Sequence, residues 1–171
     1  MQYDQVCDVY LVGGGLLILR YLRMAKDMNE EQQRPKVGFG VIVFKDGKVL
    51  FGRRGQGASH SAQTWCCPGG LLENGETFEE GVKREAMDEA GIEIENIRFI
   101  VTMNQLGFLP KHFVGLGFFA DWKSGEPRPE AGDKMTDWDW FDSDNLPEPV
   151  YLPSKQVIDA YREGVKFVEM K

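Results

Sequence analysis

The segment Val37–Phe44 (VGFGVIVF) is an almost continuous apolar run of strand length, and Lys48–Gly52 (KVLFG) is a second. Asp46-Gly47 between them is a tight-turn signal, so the pair reads as a β-hairpin. Ile97–Met103, Phe113–Trp122 and Trp138–Phe141 read as three further strands. In two places the apolar spacing changes from two to between three and four. Thr77-Phe78-Glu79-Glu80 fits a capping box, Val82, Ala86 and Ala90 follow as an inner stripe, and Gly91 is a terminator. Pro153-Ser154 opens a second helix whose apolar face is Val157, Ile158, Tyr161, Val165 and Val168. Arg53–Thr64 is loop by composition, and Pro68-Gly69-Gly70 is a sharp bend. Strands interleaved with two helices, and no internal repeat, predict an α+β domain: an α/β/α sandwich with a mixed sheet between helices.

The first 35 residues follow a different pattern. Val9–Leu22 is the most apolar stretch, but it is too short to span a bilayer and Arg20 interrupts it. Asp4 and Asp8 stand where a signal peptide would be basic, and Gly13–Gly15 lacks the spacing of a phosphate loop. Lys26–Lys36 is polar and reads as a linker. The expected organisation is an extension and linker over 1–35 and one domain over 36–171, with no membrane association; a surface anchor is the alternative for the extension.

Charge narrows the partners. Twenty Lys and Arg stand against 27 Asp and Glu, a formal charge of −7, and no basic stripe is present. This argues against a nucleic-acid polymer as partner and leaves room for a small phosphate ligand bridged by a cation or a few arginines. The cysteines Cys7, Cys66 and Cys67 form no CxxC pair, which suits reduced thiols and a cytoplasmic setting. Cys66 and Cys67 lack a histidine at a spacing that would argue for a nucleophile, so they are expected to be buried packing residues.

The stretch that carries chemistry is Gly70–Ile92 (GLLENGETFEEGVKREAMDEAGI). Glu85, Asp88 and Glu89 lie at i, i+3 and i+4, so a helix projects all three carboxylates from one face. Three like charges this close oppose the helix unless compensated, and a hard divalent cation takes such oxygen ligands. Taken alone, the cluster reads as a solvated acidic face. The surrounding spacing changes that reading. Gly70, five residues, Glu76, seven residues, Arg84-Glu85, then Asp88-Glu89, Gly91 and Ile92 form one long fixed pattern. Arg84 is placed to pair with Glu76 and fix the preceding loop, and Gly70 allows a bend that could aim its carbonyl at the same cation.

This pattern resembles the signature of the Nudix hydrolases, G-x5-E-x7-R-E-U-x-E-E-x-G-U, with U a bulky apolar residue. Asp88 replaces the first paired glutamate, and Ala86 is a small occupant of its apolar position. The resemblance implies Mg2+-dependent hydrolysis, with Mn2+ as a substitute, of a nucleoside diphosphate linked to another group. It assigns catalytic roles to Glu85, Arg84 and Glu89, and metal contacts to Gly70, Glu85, Asp88 and Glu89, with Asp133 or Glu130 adding a later carboxylate. Gly52-Arg53-Arg54, Trp138-Asp139-Trp140 and Leu146-Pro147 are similar to elements of the branch that cleaves nucleoside triphosphates to monophosphate and pyrophosphate. The substrate-binding candidates are Arg53 and Arg54 for phosphate, and Phe39, Tyr151 and Leu152 for the base. His112 is expected to cap its strand, and His60 to sit on the surface. Other nucleoside-diphosphate-linked substrates (nucleotide sugar, ADP-ribose, dinucleoside polyphosphate) are the alternative, and a ligand-sensing domain without hydrolysis is a third. The small nucleotide is the expected partner, and a homodimer is the assembly the resemblance suggests.

Overall fold

The structure, a computed structural model, describes residues 34–58, 61–108, 111–129 and 134–170. The features expected within residues 1–33, and His60, Glu130 and Asp133, therefore lie outside the described residues. Pro35–Lys171 forms one compact unit.

Its elements in chain order are β1 (Lys36–Lys45), β2 (Lys48–Arg54), β3 (Trp65–Cys66), β4 (Gly69–Leu71), α1 (Phe78–Ala90), β5 (Glu93–Gln105), β6 (Phe113–Ser124), β7 (Met135–Asp142), α2 (Leu152–Glu163) and β8 (Phe167–Met170). The strands make one mixed sheet with the path β3-β2-β1-β6-β5-β8; β7 pairs with β2, and β4 with β1. One helix lies against each face, so the fold is the expected α/β/α sandwich.

The hairpin turn has Asp46 at φ 50° and Gly47 at φ 79°, the left-handed pair that a two-residue turn requires. Its strands pair only at Phe44↔Val49 and Lys45↔Lys48, then separate. Residues 65–71 fill the gap. β3 takes up the edge of β2 at Gly52 and Arg53, and β4 takes up the edge of β1 at Gly38, Phe39 and Gly40. The Val41 N–H donates to the Pro68 carbonyl at 2.9 Å between them. The expected bend at Pro68-Gly69-Gly70 is thus a short strand entry, and it carries Gly69 and Gly70 under α1. Gly69 is required there, because a Cβ would stand 2.2 Å from the Phe39 carbonyl oxygen.

β1 and β6 run parallel over nine register pairs, including Gly38↔Gly115 and Gly40↔Gly117. Phe39, Val41 and Val43 face α1 and meet Val82, Ala86 and Ala90. Ile42, Val49, Phe51, Val101 and Met103 face α2 and meet Val157, Ile158 and Ala160. A Cβ on Gly117 would stand 2.6 Å from Val101 and 2.9 Å from Val157, so this glycine lets α2 approach the sheet.

α1 has the predicted cap. Thr77 Oγ1 accepts from the Glu80 N–H at 3.2 Å, and Glu80 Oε2 accepts from the Thr77 N–H at 2.9 Å. Gly91 closes the helix at φ 69°. α2 ends earlier than expected. Gly164 at φ 68° stops it, so Val165 and Val168 lie past the helix, with Val168 in β8. Apolar spacing ran on through that glycine because the chain re-enters the same core cluster as a strand. Trp138 and Trp140 alternate on β7, so they share one face of the strand. Both pack on the α1 side of the sheet, not against the C-terminal helix.

Candidate active site

The central feature is a chain of contacts linking the loop before α1 to the helix face. Arg84 Nε donates to Glu76 Oε1 at 2.7 Å, and its NH2 group donates to Glu76 Oε2 at 3.0 Å, a two-pronged pairing. Its NH1 group donates to Glu85 Oε1 at 2.6 Å, and NH2 also reaches the Leu71 carbonyl at 3.2 Å. One guanidinium therefore ties together the loop, the end of β4 and the helix. The Arg84 hydrogen bonds, helped by the Glu73 N–H, hold the Glu76 carboxyl below the usual carboxylate range. Hydrogen bonding to Glu76, then to Glu85, pushes the Arg84 pKa up, so it stays a cation at any accessible pH.

Glu85 is aimed by contact as well as by charge. A Cβ at Gly70 would stand 2.1 Å from Glu85 Oε1 and 2.4 Å from its carboxyl carbon. The Glu85 carboxylate thus occupies the space that the missing side chain leaves. One turn on, Glu89 Oε2 accepts from the Gly69 N–H at 3.0 Å, and the Glu89 carbonyl accepts from Trp138 Nε1 at 2.9 Å. Two carboxylates are therefore seated against the two glycines of β4. Asp88 is exposed on the outer side of this face. Among the described residues, no three His, Cys, Asp or Glu side chains converge as a metal cage.

A cavity of about 350 Å3 adjoins Glu89 on the α2 side of the sheet. Gly38, Gly40 and Gly115 form its floor, and Arg54, Tyr151, Met103, Gln105, Phe113 and Ser154 stand around it. The other substrate candidates divide. Arg54 and Tyr151 line the cavity together, with the guanidinium 4.8 Å from the ring centroid. Arg53 points elsewhere; it is exposed and donates to Gln63 Oε1 at 2.9 Å. Phe39 borders it, but its ring packs in the α1-side core, edge-on to Phe118 at 6.5 Å. Leu152, 49% exposed on the first turn of α2, stands outside it.

Cys66 and Cys67 are buried, as expected of packing residues. Burial drives both thiols up, Cys67 to about 11, so neither is a thiolate at neutral pH. His112 Nε2 lies 2.7 Å from Asn104 Oδ1, and its carbonyl accepts from the Lys36 N–H, a strand-end role.

Residues 34–161 match the NUDIX domain family. The chain belongs to the Nudix family. The match spans three quarters of the chain and takes in the α1 face, β4 and the cavity. The sequence is 33% identical over 128 residues to the NAD-capped RNA hydrolase NudC of Vibrio atlanticus, covering 74% of this chain and 45% of that protein. It is 40% identical over 78 residues to the NudC of Chromobacterium violaceum, covering 46% and 28% respectively. The chain thus spans less than half the length of these curated relatives. Among solved structures, the MutT Nudix hydrolase of Burkholderia pseudomallei superposes with a TM-score of 0.68 at 29% identity, over 74% of this chain and 98% of that one. An ADP-ribose pyrophosphatase from Streptococcus suis shares the fold, with a TM-score of 0.61 at 22% identity, over 80% and 100%.

Sequence reasoning missed part of this candidate site: the glycines of β1 and β6, Gln105 and Ser154. A signal existed in Gly38-Phe39-Gly40 and Gly115-Leu116-Gly117, where glycines alternate along two strands. Alternate positions share a face, so such glycines clear one side of a sheet. Their pairing across β1 and β6 needed the register. Among the described residues, no helix is long and apolar enough to cross a membrane.

Proposed function

We propose that the protein is a divalent-cation-dependent pyrophosphohydrolase that cuts nucleoside triphosphates to monophosphate and pyrophosphate. The observation that carries this reading is the seating of Glu85 on Gly70 and Glu89 on Gly69, beside a cavity of nucleotide size. The donors are all oxygens, which suits Mg2+, with Mn2+ as a substitute, and excludes a soft-metal site. Glu85, Glu89 and the Gly70 carbonyl are the groups that would hold the ion, with Asp88 as an outer candidate; Asp133, outside the described residues, is the further carboxylate that the family resemblance suggests. When bound, such an ion neutralises charge on the phosphoryl oxygens and lowers the pKa of water.

The protein's own groups supply the rest. Glu85 accepts a proton from the attacking water, and Arg84 is the positioning residue that keeps its carboxylate in place. Glu89, fixed by the Gly69 N–H, sets the second acidic oxygen one helical turn away. Arg54 at the cavity wall is placed to meet a phosphate, with Tyr151 beside it for the sugar or base. A second reading is cleavage of a dinucleotide anhydride of the kind that caps RNA in the NAD type. The identity to the NudC proteins favours it.

The test is Glu89→Gln, assayed for release of pyrophosphate from a triphosphate with Mg2+. The amide keeps the shape and an acceptor for Gly69, so the fold should persist. Turnover should fall by about 100-fold or more, the scale on which a misplaced or missing catalytic charge acts. Turnover close to the parent's would rule Glu89 out of the reaction.

A further inference from the structure

Among the described residues, two polar residues are buried, Gln105 at 6% exposure and Ser154 at 4%, and both line the cavity. Ser154 is committed: its Oγ accepts from the Cys67 N–H at 3.2 Å and lies 3.3 Å from the Cys67 thiol. Gln105 is not. Its carboxamide carries two donor hydrogens and an acceptor oxygen, and no hydrogen bond holds it among the described residues. The amide lines the cavity with its donors and acceptor open to whatever enters it.

The surroundings say what kind of ligand. Gln105 ends β5 on the same face as Val101 and Met103, so its side chain looks into the α2-side space. Its Nε2 lies 3.1 Å from where a Cβ at Gly115 would be, so the amide rests against bare backbone. Gly38 lies across from Gly115 in the β1–β6 register, with Gly40 two residues on, so β1 and β6 contribute backbone rather than side chains to this part of the cavity, with Cys67 Sγ close over Gly40. Tyr151, Phe113, Met103 and Val157 provide apolar walls. A slot with one amide at its edge matches a planar heteroaromatic ring that presents a donor next to an acceptor, the edge a glutamine amide pairs with two-pronged.

Resting on the nucleotide reading above, we infer that Gln105 is the base-reading residue of this cavity and sets which nucleobase is accepted. A site built around a buried amide rejects a ligand that leaves the amide unpaired far more strongly than an apolar pocket rejects a misfit. Arg54 and Glu89 then lie toward the phosphate end, and Gln105 toward the base end.

The experiment is equilibrium binding of five nucleoside 5′-monophosphates (adenosine, guanosine, cytidine, uridine, and purine riboside, which lacks the exocyclic group) to the full chain without metal. The wild type should favour one natural base over purine riboside by about tenfold or more. Gln105→Leu should bring all five to within about twofold of one another, and Gln105→Glu, which replaces the donor with an acceptor, should reorder them. Melting curves establish that each variant is folded, and Gln105→Glu carries the test if the leucine variant is not. Unchanged discrimination in a folded variant, or equal affinity for all five in the wild type, overturns the inference and leaves the nucleotide reading standing. Binding of none of the five overturns both.

Discussion

Gly70→Ala separates what the glycine does for the fold from what it does for the site. The backbone there lies outside the left-handed region, so alanine meets no conformational penalty. The added methyl instead falls 2.1 Å from Glu85 Oε1, 2.4 Å from its carboxyl carbon and 2.8 Å from Oε2. Real carbon contacts stay beyond 3.0 Å, so the carboxylate must retreat by about 1 Å, enough to cost about 100-fold if Glu85 acts on the reacting water. The obstacle is the far end of a flexible side chain, so stability should change little, by about 1 kcal/mol or less. Retreat also strains the 2.6 Å bond from Arg84, which holds Glu85 from the other side. The assay pairs steady-state hydrolysis of a triphosphate with thermal melting. The expected result is a kcat down by about two orders of magnitude with a melting temperature close to the parent's. A variant with the parent's kcat would refute the claim that Gly70 positions Glu85 for chemistry. A variant that loses stability and activity together would show the contact to be structural.

Arg84→Ala should lower kcat by tenfold or more, about the cost of a loosened catalytic carboxylate, and Arg84→Lys should restore little, because a single ammonium cannot reach Glu76 and Glu85 as the fork does. The same variant has a pH signature. Glu76 is held below its usual pKa in the folded state, so its contribution to stability is present above the ordinary carboxylate range and is lost as pH falls through the folded value. Denaturant melts of wild type and Arg84→Ala should therefore differ at neutral pH and converge in acid; a gap that widens in acid would contradict the pairing. Thr77→Ala removes the α1 cap far from the reacting groups, and should destabilise by about 1 kcal/mol with kcat unchanged at 25 °C.

The elements of the fold were legible where local chemistry decides them. The Asp46-Gly47 turn, the Thr77–Glu80 capping box and the Gly91 stop each depend on a few adjacent residues, and each is found in the structure. The Arg84–Glu76 pairing was readable from spacing alone. What sequence could not show depends on pairing between distant segments. The insertion of residues 65–71 between the splayed strands of the hairpin turns an apparent loop into the platform beneath Glu85 and Glu89. The end of α2 was missed because Val165 and Val168 return to the same core after Gly164. The base candidates divide: Tyr151 lines the cavity, while Leu152 stands outside it. Phe39 alternates away from the cavity into the α1-side core, while the residue that faces the slot, Gln105, ends a strand and carried no motif.

The account's central claim is that this cavity and helix face cut a nucleotide anhydride. The most direct measurement is chromatographic identification of products from a panel of nucleoside triphosphates, ADP-ribose, a nucleotide sugar, NAD and a dinucleoside polyphosphate, incubated with the full chain and Mg2+. The account predicts monophosphate and pyrophosphate in equal amounts from the triphosphates, and loss of both in Glu89→Gln. Two nucleoside monophosphates from NAD, with the triphosphates untouched, would contradict the triphosphate assignment and establish the dinucleotide reading. No product from any member of the panel would contradict the claim itself.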